Sequence, residues 1–183
     1  RGPFRRWLTI LAVALAASAA QAGAPFGGKG LVAEWTPEKA ESASVASIPG
    51  PFGGHALACL DAGHRLTGPD KGFPSGAAPG SISLWFIRPD GVRDKVLFSC
   101  GSPVHGGARG LWLVTKSRLC FYFFGHPQDL HCDVKGGIAP DQWHHVAATF
   151  DGTTARLYYD GAAIGQAAAK INTVLRGRFQ VGA

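Results

Sequence analysis

Glutamate is scarce in this chain: the three present, Glu34, Glu38 and Glu41, fall in one stretch near the start. Their i, i+4, i+7 spacing would place them on one face of a helix, the pattern of a solvated surface. Other reactive signatures are missing. Without a Gly-x-Ser-x-Gly elbow, serine-hydrolase chemistry has no support. Without a Cys-x-x-Cys pair, zinc is not expected. "GAPFGGKG" (residues 23–30) lacks the full Gly-x-x-x-x-Gly-Lys-[Ser/Thr] pattern and a following helix, so a phosphate loop is rejected. Helical periodicity is also lacking. The candidates are the apolar opening run and Pro37 to Ser47, the latter with poor apolar spacing.

What is present begins with targeting. Arg1, Arg5 and Arg6 precede an apolar run from Trp7 to Ala20 that ends in Ala20-Gln21-Ala22. A positive n-region, a short alanine-rich core and an Ala-x-Ala end read as a secretory signal peptide over 1–22, with no membrane span after its cleavage. Of the 18 basic residues those three leave with it, while all 12 acidic ones remain, so the formal charge falls from +6 to +3. No basic stripe of the kind nucleic acid requires is left. The expected location is secreted, periplasmic or cell surface. Residues 23–30 read as a linker, and 31–183 as one domain with a substantial core. Because the first residue is Arg, the sequence is expected to be trimmed.

The domain is a succession of short β runs closed by Gly, Pro and Asp turns: 31–35, 55–60, 81–89, 95–100, 111–115, 118–124, the run opened by Trp143, 155–160 and 178–182. That rhythm predicts an all-β sandwich or barrel. Asp151-Gly152 and Asp160-Gly161 supply hairpin turns, so the three segments around them should form an antiparallel meander. Alternation places Trp143, His145, Ala147 and Thr149 on one face and His144, Val146, Ala148 and Phe150 on the other. The adjacent histidines therefore cannot share one metal ion. Trp85 and Trp143 are assigned to core packing, and replacing His144 by Ala is expected to be nearly neutral. Four cysteines in an exported chain favour disulfides. Cys120 and Cys132 flank a hairpin turn and are expected to pair, leaving Cys59 with Cys100, although three connectivities are open.

"SISLWFIRPDG", "KVLFSCG", "GLWLVTKSRLCFYFF" and "DQWHHVAATFDGTTARLYYDGAAIG" together resemble the laminin-G-like branch of the concanavalin A-like lectin/glucanase family, over about Gly30 to Ala183. The resemblance implies an antiparallel β-sandwich of jelly-roll type. Family domains continue past a Val-Gly-Ala-like strand into a closing strand, so the C-terminal strand is expected to be missing here. The family's glucanases use an E-x-D-x-E type strand, and none is present, so no catalytic residue is assigned. Binding is the implied role, with carbohydrate or an extracellular protein as partner. The alternatives are an accessory domain of a longer glycoside hydrolase or sialidase, and a structural spacer. Family members sometimes use calcium in rim loops. Candidate ligands are Asp129, Asp133 and Asp151, with Asp70 and Asp90 also in loops. Candidate ligand contacts are His105, Arg109, His126 and Tyr159, with sugar-stacking surface sought among Trp112, Tyr122, Phe124, Tyr158 and Tyr159.

Overall fold

Asp160 and Gly161 both adopt positive φ, 45° and 82°, the pair of left-handed conformations that a two-residue type I′ hairpin turn needs. The computed structural model describes residues 11–14, 46–52, 55–59, 65–125 and 127–182. It is antiparallel β throughout, with no helix among those residues. The strands are β1 (Leu11–Ala14), β2 (Ala46–Pro49), β3 (His55–Cys59), β4 (Leu66–Gly68), β5 (Gly80–Ile87), β6 (Lys95–Gly101), β7 (Ala108–Thr115), β8 (Arg118–Tyr122), β9 (Leu130–Asp133), β10 (Trp143–Phe150), β11 (Thr154–Tyr159), β12 (Ala162–Ala168) and β13 (Phe179–Val181). Seven form one sheet in the order β12-β11-β10-β5-β1-β3-β2, and six form the other as β4-β13-β6-β7-β8-β9.

The expected meander is β10-β11-β12. Its first turn works differently from its second. Only Gly152 takes positive φ there, and Asp151 fixes the loop by accepting from the amides of Thr153 and Thr154 at 3.0 and 2.8 Å. The next strand pair, β5 with β10, runs in unbroken register from Trp143↔Ile87 to Phe150↔Gly80.

Both sheets turn their apolar faces inward. Leu84, Phe86, Val146, Ala148, Phe150 and Leu157 meet Leu97, Leu111, Leu113, Leu119, Phe121 and Phe123. The Phe123 and Phe150 rings touch across the sandwich at 6.5 Å. Each such aromatic contributes about 2–3 kcal/mol by leaving water. Gly165 of β12 sits where a Cβ would collide with Cys132 Sγ of β9, so the close approach of the two sheets there requires glycine.

Three expectations need correction. His144, not Trp143, faces the core: the burial of β10 alternates with His144, Val146, Ala148 and Phe150 inside and Trp143, His145, Ala147 and Thr149 half-buried. The two sets were read correctly, but the inward set carries the imidazole. Trp85 likewise lies on the outer side, against Phe52 and His145. The disulfides are absent, all four cysteines being free thiols. Cross-strand partners share a face, and the β8-β9 register opposes Leu119 to Cys132 and Cys120 to His131, so Cys120 and Cys132 point to opposite sides of the sheet.

Leu11–Ala14, inside the segment read as a signal peptide, pairs with β3 on one side and β5 on the other. Glu34, Glu38, Glu41 and the expected strand 31–35 lie outside the described residues.

Candidate functional site: the outer face of the six-stranded sheet and its rim

In β7 the sequence Arg-Gly-Leu-Trp-Leu sends Arg109, Leu111 and Leu113 inward and Gly110 and Trp112 outward. Register extends the outward set across the sheet. Thr67, Gln180, Ser99, Gly110 and Tyr122 form one row, and Val96, Trp112, Cys120 and His131 form the next. A Cβ at Gly110 would collide with the Tyr122 ring, so that ring lies across the glycine. Burial raises the Tyr122 hydroxyl to about 12, partly opposed by its hydrogen bond with Ser99. It therefore stays protonated over the physiological range.

Trp112 is half-buried and held on three sides. Its Nε1–H donates to Asp94 Oδ1 at 3.1 Å. Its ring meets Tyr122 edge-on at 6.5 Å and His131 at 6.2 Å. A flat aromatic face braced in one orientation, beside hydroxyl, amide and carboxylate groups, can offer a ligand both stacking and hydrogen-bonding contacts.

At the β8-β9 end, Cys120 Sγ and His131 Nε2 lie 3.7 Å apart. Asp129 joins them, with ligand atoms of all three within 4.8 Å of one another. Asp129 Oδ1 accepts the Phe123 amide at 2.6 Å, which sets the carboxylate's orientation. Burial pushes the Cys120 thiol far above its ordinary range, and the nearby Asp129 and Cys132 add to this. Sequence reasoning named Asp129 but missed His131 and took Cys120 for a bridge. The hairpin register that joins them could have been drawn from the turn position.

The adjoining rim is made of loop 102–107, the turn after β8 and the segment after β12. Hydrogen bonds from Gly106 N–H to Phe123 O, Asn172 N–H to Gly106 O and Val174 N–H to Gly107 O tie the three together. The rim carries the exposed side chains of Val104, His105, Phe124 and Val174. Phe124 has φ 63°, a left-handed conformation that is an outlier for a bulky residue.

The other expected site residues are dispersed. Arg109 is 3 % exposed. Its Nε donates to Thr173 Oγ1 at 2.7 Å, and Nη2 donates to the carbonyls of Gly76 and Ala78 at 3.0 and 2.8 Å. With its guanidinium also over the Phe150 ring, it is a strut between loops. Tyr159 places its hydroxyl 2.6 Å from His144 Nδ1. Asp160 Oδ2 lies 2.9 Å from the same nitrogen, and His144 Nε2–H donates to Ala139 O at 3.0 Å. The imidazole is thus enclosed and offers no reactive nitrogen. Asp133 is paired with Arg118 at 2.8 Å, and Asp151 with Arg156 at 2.7 Å. Among the described residues Asp129 clusters with Cys120 and His131 and not with Asp133 or Asp151, so these three aspartates do not form the expected calcium set. Asp70 is buried and accepts the Arg176 amide, while Asp90 is exposed near Arg88. His126 lies outside the described residues.

Two antiparallel sheets packed face to face make an all-β sandwich, an architecture shared by many binding domains and enzymes. The family model described as the concanavalin A-like lectin/glucanases superfamily, laminin G type, matches residues 60–183, and the chain belongs to that family. Among solved structures it is similar to domain 4 of AbnA, a GH43 extracellular arabinanase from Geobacillus stearothermophilus, in complex with arabinotriose. That likeness has a TM-score of 0.54 at 21% identity and covers 77% of this chain and 67% of the other. Mouse laminin alpha1 domains LG4-5 are similar at a TM-score of 0.51 and 14% identity, over 64% of this chain. The chain spans 31% of that laminin structure's length. No curated protein sequence matches it. The fold is one shared by glycosidases and by binding domains.

Proposed function

We propose that this domain is a non-catalytic binding module of an exported protein and recognises carbohydrate on the outer face of its six-stranded sheet, with the rim loops adding contacts. The observation that carries the reading is Trp112, held half-exposed by Asp94, Tyr122 and His131. Stacking on such a ring needs no reacting carboxylate pair, and the contacts with Asp94, Tyr122 and His131 fix the ring's orientation, so little ordering cost is added on binding. The aspartates nearest the face have bracing roles: Asp94 holds the indole, Asp129 a backbone amide and Asp133 an arginine.

The second reading is an accessory domain of a longer secreted glycoside hydrolase. It is favoured by the likeness to one domain of an extracellular arabinanase whose structure holds arabinotriose. Both readings expect glycan binding, and they differ in what adjoins the domain in its gene.

The test is a glycan array probed with the chain in calcium and in chelator. Selective binding of a glycan that Trp112→Ala reduces by about tenfold or more supports the platform. Glycan binding that survives this substitution moves the site elsewhere, and no binding in either condition overturns the carbohydrate reading.

A further inference from the structure

We propose that Cys120, Asp129 and His131 form a binding site for one thiophilic divalent transition-metal ion of the zinc class. The site shares His131 with the bracing of Trp112, does not require that the face bind carbohydrate, and differs from the calcium set expected from the sequence. A tetrahedral zinc ion with Zn–S near 2.3 Å and Zn–N near 2.0–2.1 Å separates its sulfur and nitrogen ligands by about 3.5 Å. Cys120 Sγ and His131 Nε2 are already 3.7 Å apart. The Asp129 carboxylate stands within 4.8 Å of both, so small side-chain rotations close a three-ligand set. Its hydrogen bond from the Phe123 amide is compatible with ligation, because a carboxylate has about four lone-pair sites. The same bond orients it as a supporting contact would.

Rigidity comes from the elements. Cys120 and His131 are direct cross-strand partners on β8 and β9, and Asp129 stands immediately before β9. His131 is exposed and Cys120 buried, so an ion would enter from the His131 side and cap the thiol. Three protein ligands leave a fourth position for water. The donor set chooses the ion: a sulfur and an imidazole suit zinc, cobalt or copper and not calcium, which takes oxygen ligands. On binding, the Cys120 S–H proton passes to solvent as the sulfur–metal bond forms, so affinity falls as pH falls. No Cys-x-x-Cys pair is needed, because strand pairing brings together what the sequence separates.

The test is titration of the reduced chain with cobalt(II), followed by absorbance. A thiolate-to-cobalt charge-transfer band that saturates at one equivalent and is displaced by zinc is the expected result. Cys120→Ser should abolish the band, whereas Cys132→Ser, on the opposite face of the sheet, should keep it. His131→Ala should weaken binding by about 100-fold or more. Because His131 is exposed, that variant stays informative if Cys120→Ser does not fold. Absence of a band in the wild-type chain, its survival in Cys120→Ser, or unchanged affinity in His131→Ala would each overturn the proposal.

Discussion

At the residue scale, His144 shows how a polar side chain can be part of a core. It is buried beneath Phe86 and Tyr159, and its two nitrogens are engaged by Ala139 on one side and by Asp160 and Tyr159 on the other. Alanine there leaves the Ala139 carbonyl unpaired and removes the imidazole that joins the Asp160 carboxylate to the Tyr159 hydroxyl, at a cost of about 2–3 kcal/mol. Trp143, half-buried on the outer side, loses surface contact only, and its replacement by alanine costs about 1 kcal/mol. Thermal melts of the two variants check the order, and a larger loss for Trp143→Ala would reverse the face assignment. Alternation separated the two sets in the sequence. It could not decide which set faces in, because tryptophan outranks histidine on apolarity and the partners that make burial of His144 tolerable come from other strands.

At the element scale, the β10-β11 turn is held by one carboxylate. Asp151 accepts from Thr153 N–H, Thr153 Oγ1–H, Thr154 N–H and Arg156. Hydrogen bonding to Arg156 first, and to the two threonines next, holds its pKa far below the ordinary carboxylate value. A depressed folded-state pKa means that the stabilisation is complete above the unfolded value, about 3.9, and is lost as pH falls below it. Asp151→Asn should therefore melt lower than wild type at neutral pH, with the difference shrinking through acid pH. A gap independent of pH would mean that the carboxylate's charge is not what holds the turn. This turn was legible as Asp-Gly, as was its neighbour at Asp160-Gly161. The β8-β9 hairpin was legible too, but the face assignment of its cysteines was not used. A register of whole residues decides whether two thiols meet, and spacing along the chain does not.

At the scale of the whole molecule, the strand rhythm and the quoted runs sufficed for the all-β sandwich, because turn residues and alternation are local. The candidate site was only partly legible. Trp112, Tyr122 and Asp129 were among the expected residues, while Arg109 went to a buried strut and His131 was passed over, since both outcomes depend on partners brought from distant strands. The seven-stranded sheet adds a dependence of its own: β1 links β3 to β5 through four residues. A chain beginning at Gly23 lacks that link and exposes two strand edges. It should melt lower or self-associate relative to the chain beginning at Arg1, as size-exclusion chromatography and a melt would show. Equal stability and the same monomeric elution would mean that another segment takes the place of β1.

The left-handed backbone at Phe124 has a consequence for how this domain can change over generations. Such a conformation costs a bulky residue about 1–3 kcal/mol, which glycine would recover. Phe124→Gly is thus expected to raise the melting temperature while stripping an aromatic from the rim, and an unchanged or lower melting temperature would show that the ring returns more than its backbone loses. If the gain is found, a lineage drifting under demand for heat tolerance alone would shed this ring early. Its retention in a relative would then mark the rim as being under selection for what it touches.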